Sequence, residues 1–153
     1  MPGREHVDYP FGEYLISTNP DLLDIEVIHR FLSTESYWAP GIPFETVLKS
    51  AQNALNFGLY HKSRQIGYAR VITDKATFAY LCDVFVLQEY RGKGLAHHLM
   101  RSVLQHPALQ GLRRWMLLTS SSPGLYKKYG FEHPPKPELY MEKSVPNIYL
   151  NNQ

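Results

Sequence analysis

The sequence has one cysteine, no long apolar run and only a small excess of positive charge. Cys82 therefore has no partner for an internal disulfide, and its place in an apolar, strand-like run predicts a buried structural thiol rather than a nucleophile. No apolar run approaches the ~20 residues of a membrane span, and residues 1–10 lack the apolar core of a signal peptide. We therefore expect a cytoplasmic protein that does not bind membranes.

The charge balance excludes some partners. Sixteen Lys and Arg residues oppose fourteen Asp and Glu residues, and a formal charge of +2 is too small to predict a nucleic-acid surface, so any anion site must be local. The seven histidines show no metal-ligand spacing with Cys82 or with paired carboxylates, and we predict no metal. No serine lies in the Gly-x-Ser-x-Gly pattern of a hydrolase.

Length and composition are those of one ordinary globular domain spanning residues 1–153, with 44% hydrophobic and 20% charged residues. Apolar residues at helical spacing predict helices over residues 21–32, 44–55, 95–106 and 124–131, the last closed by Gly130 in the position of a left-handed cap. Aromatic and β-branched runs between turn signals predict strands over residues 13–20, 56–61, 65–73, 77–87, 113–120 and 138–143. The stretches "HKSR" and "TDKA", residues 61–64 and 73–76, are predicted hairpin breaks between three of these strands. The order predicts an α+β, three-layer α/β/α fold with a mixed, mostly antiparallel central sheet.

The stretch "QEYRGKGLA", residues 88–96, lies between a predicted strand and a predicted helix. Gly92 and Gly94 let the backbone come close to a phosphate at a helix start, where N–H groups lack partners, and Arg91 and Lys93 add positive charge. A solvated turn with charges for solubility is the alternative. The turn has neither the Walker pattern nor the Gly-x-Gly-x-x-Gly pattern of dinucleotide folds.

Two segments together resemble the GNAT superfamily of N-acetyltransferases. "VFVLQEYRGKGLAHHLM", residues 84–100, contains Arg-x-x-Gly-x-Ala, which is similar to the acyl-CoA signature of that family. "GLYKKYGFE", residues 124–132, follows after a predicted strand and resembles the family's second element, which closes on Gly-Phe. The likeness is specific over residues 83–132, and the rest of the chain is only consistent with the fold.

The resemblance implies acetyl-CoA as a co-substrate and a pair of neighbouring strands that splay apart to receive its pantetheine arm. It implies that backbone groups of one of these strands pair with the arm and polarise the thioester carbonyl, as in an oxyanion hole. Where many family members carry an asparagine this chain has Thr119, and Thr119 or Ser121 would supply a hydroxyl instead. The cofactor-binding residues implied are Val84, Phe85, Val86, Arg91, Gly92, Lys93, Gly94, Leu95, Ala96, His97, Thr119 and Ser121.

Two side chains are candidates for proton transfer. The resemblance places Tyr126 beside the sulfur, where it would protonate the leaving thiolate, and packing of the short helix is the alternative role. Asp83 interrupts an apolar strand, so it is either the base that accepts the amine proton or a structural group with fixed partners. His97 and its neighbour His98 are read as surface residues, although one of them is placed to touch a phosphate.

The acceptor pocket of this superfamily is shaped by the first two helices, their loop and the central strands. In this chain Tyr37, Trp38 and Tyr80 are the predicted substrate-binding residues, and Trp38 is the strongest candidate because most tyrosines should pack the core. The expected function is direct acetyl transfer in a ternary complex to a primary amine of a small molecule or peptide. A non-catalytic acyl-CoA-binding sensor or partner module is the alternative. The oligomeric state is left open, with a homodimer as one candidate.

Overall fold

Six strands form one mixed sheet, and their order across the sheet is their order along the chain. The computed structural model describes residues 5–150, so the first four residues of the stretch examined for a signal peptide lie outside the described part. The strands are β1 (Asp8–Phe11), β2 (Tyr14–Ser17), β3 (Leu55–His61), β4 (Arg64–Thr73), β5 (Phe78–Val86) and β6 (Arg114–Leu117). Neighbouring strands from β1 to β5 are antiparallel, whereas β5 and β6 are parallel.

Helices cover both faces of the sheet. They are α1 (Ile25–Thr34), α2 (Phe44–Gln52), α3 (Leu95–Gln105) and α4 (Pro123–Lys127). One buried cluster joins α1 and α2 to Tyr68 and Phe85, and the other joins α3 to residues such as Ala69 and Leu81. Because successive side chains of a strand point to opposite faces, Tyr68 and Ala69 assign the clusters to opposite faces of β4. The predicted three-layer α+β fold is thus confirmed.

Two local predictions are also confirmed. The turn between β3 and β4 contains Lys62 and Ser63, both with positive φ, which matches the predicted hairpin break. After α4, Gly130 has φ of +90°, and the Phe131 N–H donates to the carbonyl of Tyr126. Gly130 therefore forms the left-handed helix end that the sequence predicted.

The structure corrects several elements and boundaries; the helix predicted over residues 44–55 ends at Gln52, and the strand predicted over residues 113–120 ends at Leu117. The strand predicted over residues 138–143 is wrong, because Pro137–Leu139 forms one turn of 3₁₀ helix and no strand follows it within the described residues. Three prolines at residues 134, 135 and 137 have no backbone N–H, which removes hydrogen-bond donors just before the predicted start of that strand. β1 was not predicted. The first helix begins at Ile25 rather than at residue 21, because the Asp24 carboxylate accepts the Val27 N–H and caps α1.

Within residues 5–150 no helix is long and apolar enough to cross a bilayer.

Candidate functional site

A cleft opens where the pairing of β5 and β6 ends. The last paired residues are Leu81 and Leu117, but β5 continues to Val86. The cleft at this point has a volume of about 420 Å³. Eight of the predicted site residues line it: Tyr37, Trp38, Tyr80, Asp83, Val84, Thr119, Ser121 and Tyr126. The structure thus brings together both predicted proton-transfer residues, all three predicted acceptor residues and three of the predicted cofactor residues.

A β-bulge lies on β5 beside this opening. Tyr68 pairs with Phe85 and Arg70 pairs with Cys82, so Asp83 and Val84 together lie opposite the one residue Ala69. Asp83 has φ of +52°, a left-handed conformation that is uncommon for residues other than glycine. A bulge bends its strand and increases the local twist. We therefore associate the end of β5–β6 pairing with this extra residue.

Both carboxylate oxygens of Asp83 have hydrogen-bond partners. Arg70 Nε donates to Oδ2 at 2.8 Å, and Trp38 Nε1 donates to Oδ1 at 2.8 Å. The Asp83 side chain is 8% exposed and that of Arg70 is 16% exposed, so this is a largely buried ion pair. The sequence left two roles open for Asp83, that of a base and that of a structural group. The structure supplies the fixed partners that the structural role requires.

Tyr126 lies on α4 and packs against the sheet while its side chain lines the cleft. Its ring meets the ring of Phe131 edge to face at 6.1 Å. Burial, together with the nearby Tyr37 hydroxyl, raises the pKa of Tyr126 above that of a free tyrosine. The hydroxyl is therefore protonated at neutral pH, which is the form that a proton donor needs.

Tyr129, three residues further on, points to a different neighbour. Its hydroxyl lies 2.8 Å from Nδ1 of His97 and 3.3 Å from the His97 carbonyl oxygen. His97 thus connects α3 to the end of α4. The ring of His98 stacks on Phe11 with centroids 4.0 Å apart. Both histidine rings thus contact other parts of the protein, His97 through Tyr129 and His98 through Phe11.

The loop before α4 contacts the loop between α1 and α2 across the cleft. The Ser120 N–H donates to the Tyr37 hydroxyl oxygen at 3.0 Å. Hydrogen bonds from Ser120 lower the pKa of Tyr37. Thr119 Oγ1 accepts the Ser122 N–H at 3.1 Å, and Ser121 is exposed. The Thr119 hydroxyl therefore helps to start α4, and its remaining hydrogen-bonding capacity faces the cleft.

The glycine turn lies at the carboxyl end of β5 and begins α3. Gly92 has φ of +80° and Gly94, the N-cap of α3, has φ of +76°. A Cβ atom built on either glycine would meet no other atom within 4 Å, so the space before the turn is open within the described structure. No side chain of the described residues caps α3, so its first N–H groups are available to an anion. The turn fits a phosphate-bearing group.

The two cations of the turn differ in their contacts. Arg91 Nε donates to the Val86 carbonyl at 2.9 Å, which fixes the turn against the end of β5. The ammonium group of Lys93 lies 5.4 Å from the centroid of the Tyr90 ring. Both charges stay next to the open space. Among the strand residues predicted for the pantetheine arm, Phe85 and Val86 have buried side chains, so only their backbone is available to a ligand.

Sequence reasoning missed two residues of this site, Arg70 and Ser120. A charged residue among the apolar residues and glycine of residues 66–72 in β4 was a signal for Arg70, because a buried charge requires a partner. No comparable signal marked Ser120, which contributes through its backbone N–H. Cys82 is half-buried and lines the cleft, so the prediction of a buried thiol is only partly correct. Partial burial still raises the pKa of the thiol to about 12, which disfavours the thiolate that a nucleophile needs.

Residues 5–150 contain no cluster of three or more His, Cys, Asp or Glu side chains that would hold a metal ion.

Comparisons with known proteins agree with this geometry. Residues 52–133 match the sequence profile of the family described as "Acetyltransferase (GNAT) domain". A curated protein of Gibberella zeae, named "Putative acetyltransferase", is 34% identical over 139 residues, covering 76% of this chain and 77% of the relative.

Solved structures are also similar. A Xanthomonas campestris protein described as belonging to the GNAT family is 48% identical, with a TM-score of 0.88, and the match covers 92% of this chain and 99% of that one. A predicted acetyltransferase of Clostridium acetobutylicum, solved with acetyl-CoA, has a TM-score of 0.59 at 16% identity, covering 86% and 94% of the two chains. At that identity the second likeness concerns the fold alone.

Proposed function

The chain belongs to the GNAT family of acetyltransferases and is an acyltransferase enzyme, and from that premise we propose that it moves an acetyl group from acetyl-CoA to a primary amine. We propose direct transfer in a ternary complex, with a small molecule or a peptide as the acceptor. The observation that carries this proposal is the cleft between β5 and β6. Tyr126 lines this cleft, and β5, which borders it, leads into the glycine turn.

The glycine turn would hold the pyrophosphate of coenzyme A. Uncapped N–H groups at the start of α3, the open space before Gly92 and Gly94, and the adjacent Arg91 and Lys93 support this assignment. From the turn, β5 leads back through residues 84–86 to the cleft. The structure from Clostridium acetobutylicum, a protein of the same fold, was solved with acetyl-CoA, which supports acetyl-CoA as the co-substrate.

In the cleft, backbone N–H groups of β5 beyond Leu81 would stabilise the oxyanion that forms when the amine nitrogen attacks the thioester carbon. As the carbon–sulfur bond breaks, the Tyr126 hydroxyl would donate its proton to the thiolate, which leaves as the free thiol of coenzyme A. The amine loses one proton when the amide forms. We propose that water in the cleft accepts this proton, because both oxygens of Asp83 are already hydrogen-bonded. A proton from the same water returns to the Tyr126 oxygen, so a neutral amine and acetyl-CoA give the amide and the free thiol with no net change in protons.

Turnover of acetyl-CoA against a panel of amines tests the proposal. Free thiol release should depend on the amine, and mass spectrometry should find one added acetyl group on nitrogen. The panel should include polyamines, amino sugars, amino acids and peptide N-termini, because the cleft does not identify the acceptor. Saturable binding of acetyl-CoA without transfer to any amine would overturn the proposal and favour the non-catalytic module instead.

We also propose that the chain forms a homodimer. Within the described residues the outer edge of β6 has no strand partner, and an unpaired edge readily accepts another strand. Beside it, a second cavity of about 530 Å³ lies between β6, α4 and residues 131–142. Leu139 and Met141 in that segment are 73% and 96% exposed.

Sedimentation analysis tests the homodimer. The wild type should give twice the mass of one chain, and a Leu139→Lys, Met141→Lys variant should be monomeric. A monomeric wild type would contradict the proposal.

The cytoplasmic location remains a prediction from the sequence.

A further inference from the structure

Asp83 occupies a backbone conformation that needs support. Its φ of +52° falls at the bulge on β5, two residues beyond the last residue that pairs with β6. A non-glycine residue in a sparsely populated conformation persists when its surroundings hold it there, and such residues cluster at functional sites. The groups that hold Asp83 come from two other elements, Arg70 on β4 and Trp38 in the loop between α1 and α2.

The bonds to Asp83 also fix its carboxylate in place. Each oxygen accepts one N–H group at 2.8 Å, so the carboxylate cannot turn toward a substrate without losing a bond. Its ion pair with Arg70 is largely withdrawn from solvent, where breaking a pair is costly. The geometry is that of a group that holds its neighbours in place.

Trp38 is the neighbour with a functional position. Its ring lines the cleft and is 41% exposed, while its N–H is directed to Asp83. The ring of Tyr37 meets it edge to face with centroids 5.0 Å apart, and Phe31 lies 6.3 Å away beneath it. The hydrogen bond to Asp83 thus fixes the N–H edge of an indole that lines the cleft.

We propose that Asp83 is a positioning residue, which together with Arg70 holds the bulge of β5 and orients the Trp38 indole as the acceptor-side wall of the cleft. This inference rests on the proposed function, because it assigns Trp38 to acceptor specificity. The class of acceptor that it favours is an amine with an apolar or cationic group next to the nitrogen, because an indole face binds both kinds of group.

An asparagine at position 83 distinguishes this role from catalysis. Arg70 Nε and Trp38 Nε1 are both donors, and an amide offers one acceptor oxygen and one NH₂ group where the carboxylate offers two acceptors. Asp83→Asn therefore keeps at most one of the two bonds. Trp38→Phe removes the bond from the other side and leaves the carboxylate in place.

A double-mutant cycle of Asp83→Asn and Trp38→Phe should be measured with the best amine of the panel. We expect each single variant to raise the amine KM about tenfold with a smaller change in kcat, and the double variant to resemble the single variants, because the two residues act through one bond. The apparent pKa values of the pH–rate profile should not move. A base would behave differently: Asp83→Asn would lower kcat ~10²-fold or more, remove the acidic limb of the profile and add to the effect of Trp38→Phe. That result would overturn the proposal.

The indole N–H resonances give a readout that does not require activity. The chain has two tryptophans, so two indole signals are expected in a ¹H–¹⁵N spectrum, and the one missing from Trp38→Phe belongs to Trp38. Asp83→Asn should shift that signal and leave the signal of Trp115 in place. Glu26→Gln, which changes an exposed carboxylate on α1, is the matched control and should change neither spectrum nor kinetics.

The two readouts separate the two proposals. If the wild-type protein acetylates no amine, the proposed function fails, while the indole shift still reports on the bond between Trp38 and Asp83. If the Trp38 signal does not respond to Asp83→Asn, the positioning role fails even when the enzyme is active. Should Asp83→Asn not fold, Arg70→Gln removes the other bond and should raise the amine KM in the same way; an unchanged KM would then overturn the proposal.

Discussion

Tyr37 and Tyr126 line the same cleft, and the pKa values of their hydroxyls are shifted in opposite directions. Burial raises the pKa of Tyr126, whereas hydrogen bonds from Ser120 lower the pKa of Tyr37. When the surroundings raise the pKa of one group and lower the pKa of its neighbour, the two groups suit different roles. Tyr126 holds its proton more tightly, as the donor proposed above requires, and Tyr37 accepts an N–H that joins two loops.

Tyr126→Phe should lower kcat about 10²–10⁴-fold, because it removes the proton donor and keeps the ring. The donor is active in its protonated form, and a raised pKa means that this form persists to higher pH than in a free tyrosine. The wild type should therefore show no alkaline loss of rate from this group below pH ~10. Steady-state rates of thiol release between pH 6 and pH 10 measure both effects.

Tyr37→Phe is the matched control for that prediction. Its ring also lines the cleft, but the bond it loses is to a solvent-exposed loop, so kcat should fall less than about tenfold. A Tyr126→Phe enzyme with the wild-type rate at every pH would show that Tyr126 only packs α4 against the sheet.

Gly94→Ala should weaken acetyl-CoA binding. Its φ of +76° is unfavourable for alanine, and the new methyl group would enter the open space in front of α3. Gly111→Ala is a close match, because Gly111 also has φ of +76° and no atom within 4 Å of an added Cβ, but it lies outside the turn.

Both glycine variants should lose about 1 kcal/mol of unfolding free energy through backbone strain. Only Gly94→Ala should raise the Kd for acetyl-CoA, by about tenfold or more, as measured by titration calorimetry. Equal Kd values for the two variants would remove the pyrophosphate assignment from the turn.

Replacing two buried tyrosines by phenylalanine, one at a time, should change the free energy of unfolding in different ways. The Tyr68 hydroxyl donates to Asn56 Oδ1, so Tyr68→Phe leaves a buried acceptor without this donor and should cost about 1–3 kcal/mol. The Tyr60 hydroxyl is buried and has no hydrogen-bond partner within residues 5–150, so Tyr60→Phe should cost nothing or stabilise the fold. Urea unfolding measures both. A loss of 1 kcal/mol or more in Tyr60→Phe would reveal a partner for its hydroxyl.

The Cys82 thiol should resist alkylation in the folded protein. With a pKa of about 12, its thiolate fraction at neutral pH is lower than that of a free cysteine by about three orders of magnitude. Iodoacetamide at pH 7.5 should modify the unfolded chain within minutes and leave the native protein largely intact over the same time, as measured by intact mass. Cys82→Ala should retain transfer activity. Rapid native labelling would contradict the burial of the thiol.

Local patterns were enough to predict most of the fold. The glycine turn, the helix after it and the Gly130 helix end follow from residue spacing, because each depends on a short segment. β1 was missed because it has only four residues and includes Pro10. The strand expected over residues 138–143 fails because alternation alone does not supply a neighbouring strand to pair with.

The candidate site was only partly predictable for a similar reason. The sequence identified Asp83 and Trp38 separately, but they lie 45 positions apart and no local pattern records that their side chains meet. The bulge that turns Asp83 toward Arg70 and Trp38 is likewise a product of strand pairing rather than of composition. The choice between a base and a structural group for Asp83, which the sequence left open, therefore depends on long-range contacts.

The parallel pairing of β5 and β6 has a consequence for the order in which the chain folds. Strands β3, β4 and β5 are joined by short hairpins, whereas β6 reaches β5 only after a crossover of residues 87–113 that contains α3. Contacts between distant parts of a chain form late, because closing a long loop costs more entropy than closing a hairpin. We therefore expect the antiparallel meander to form first and the cleft last, so that a growing chain acquires the cleft only after β6 has been synthesised.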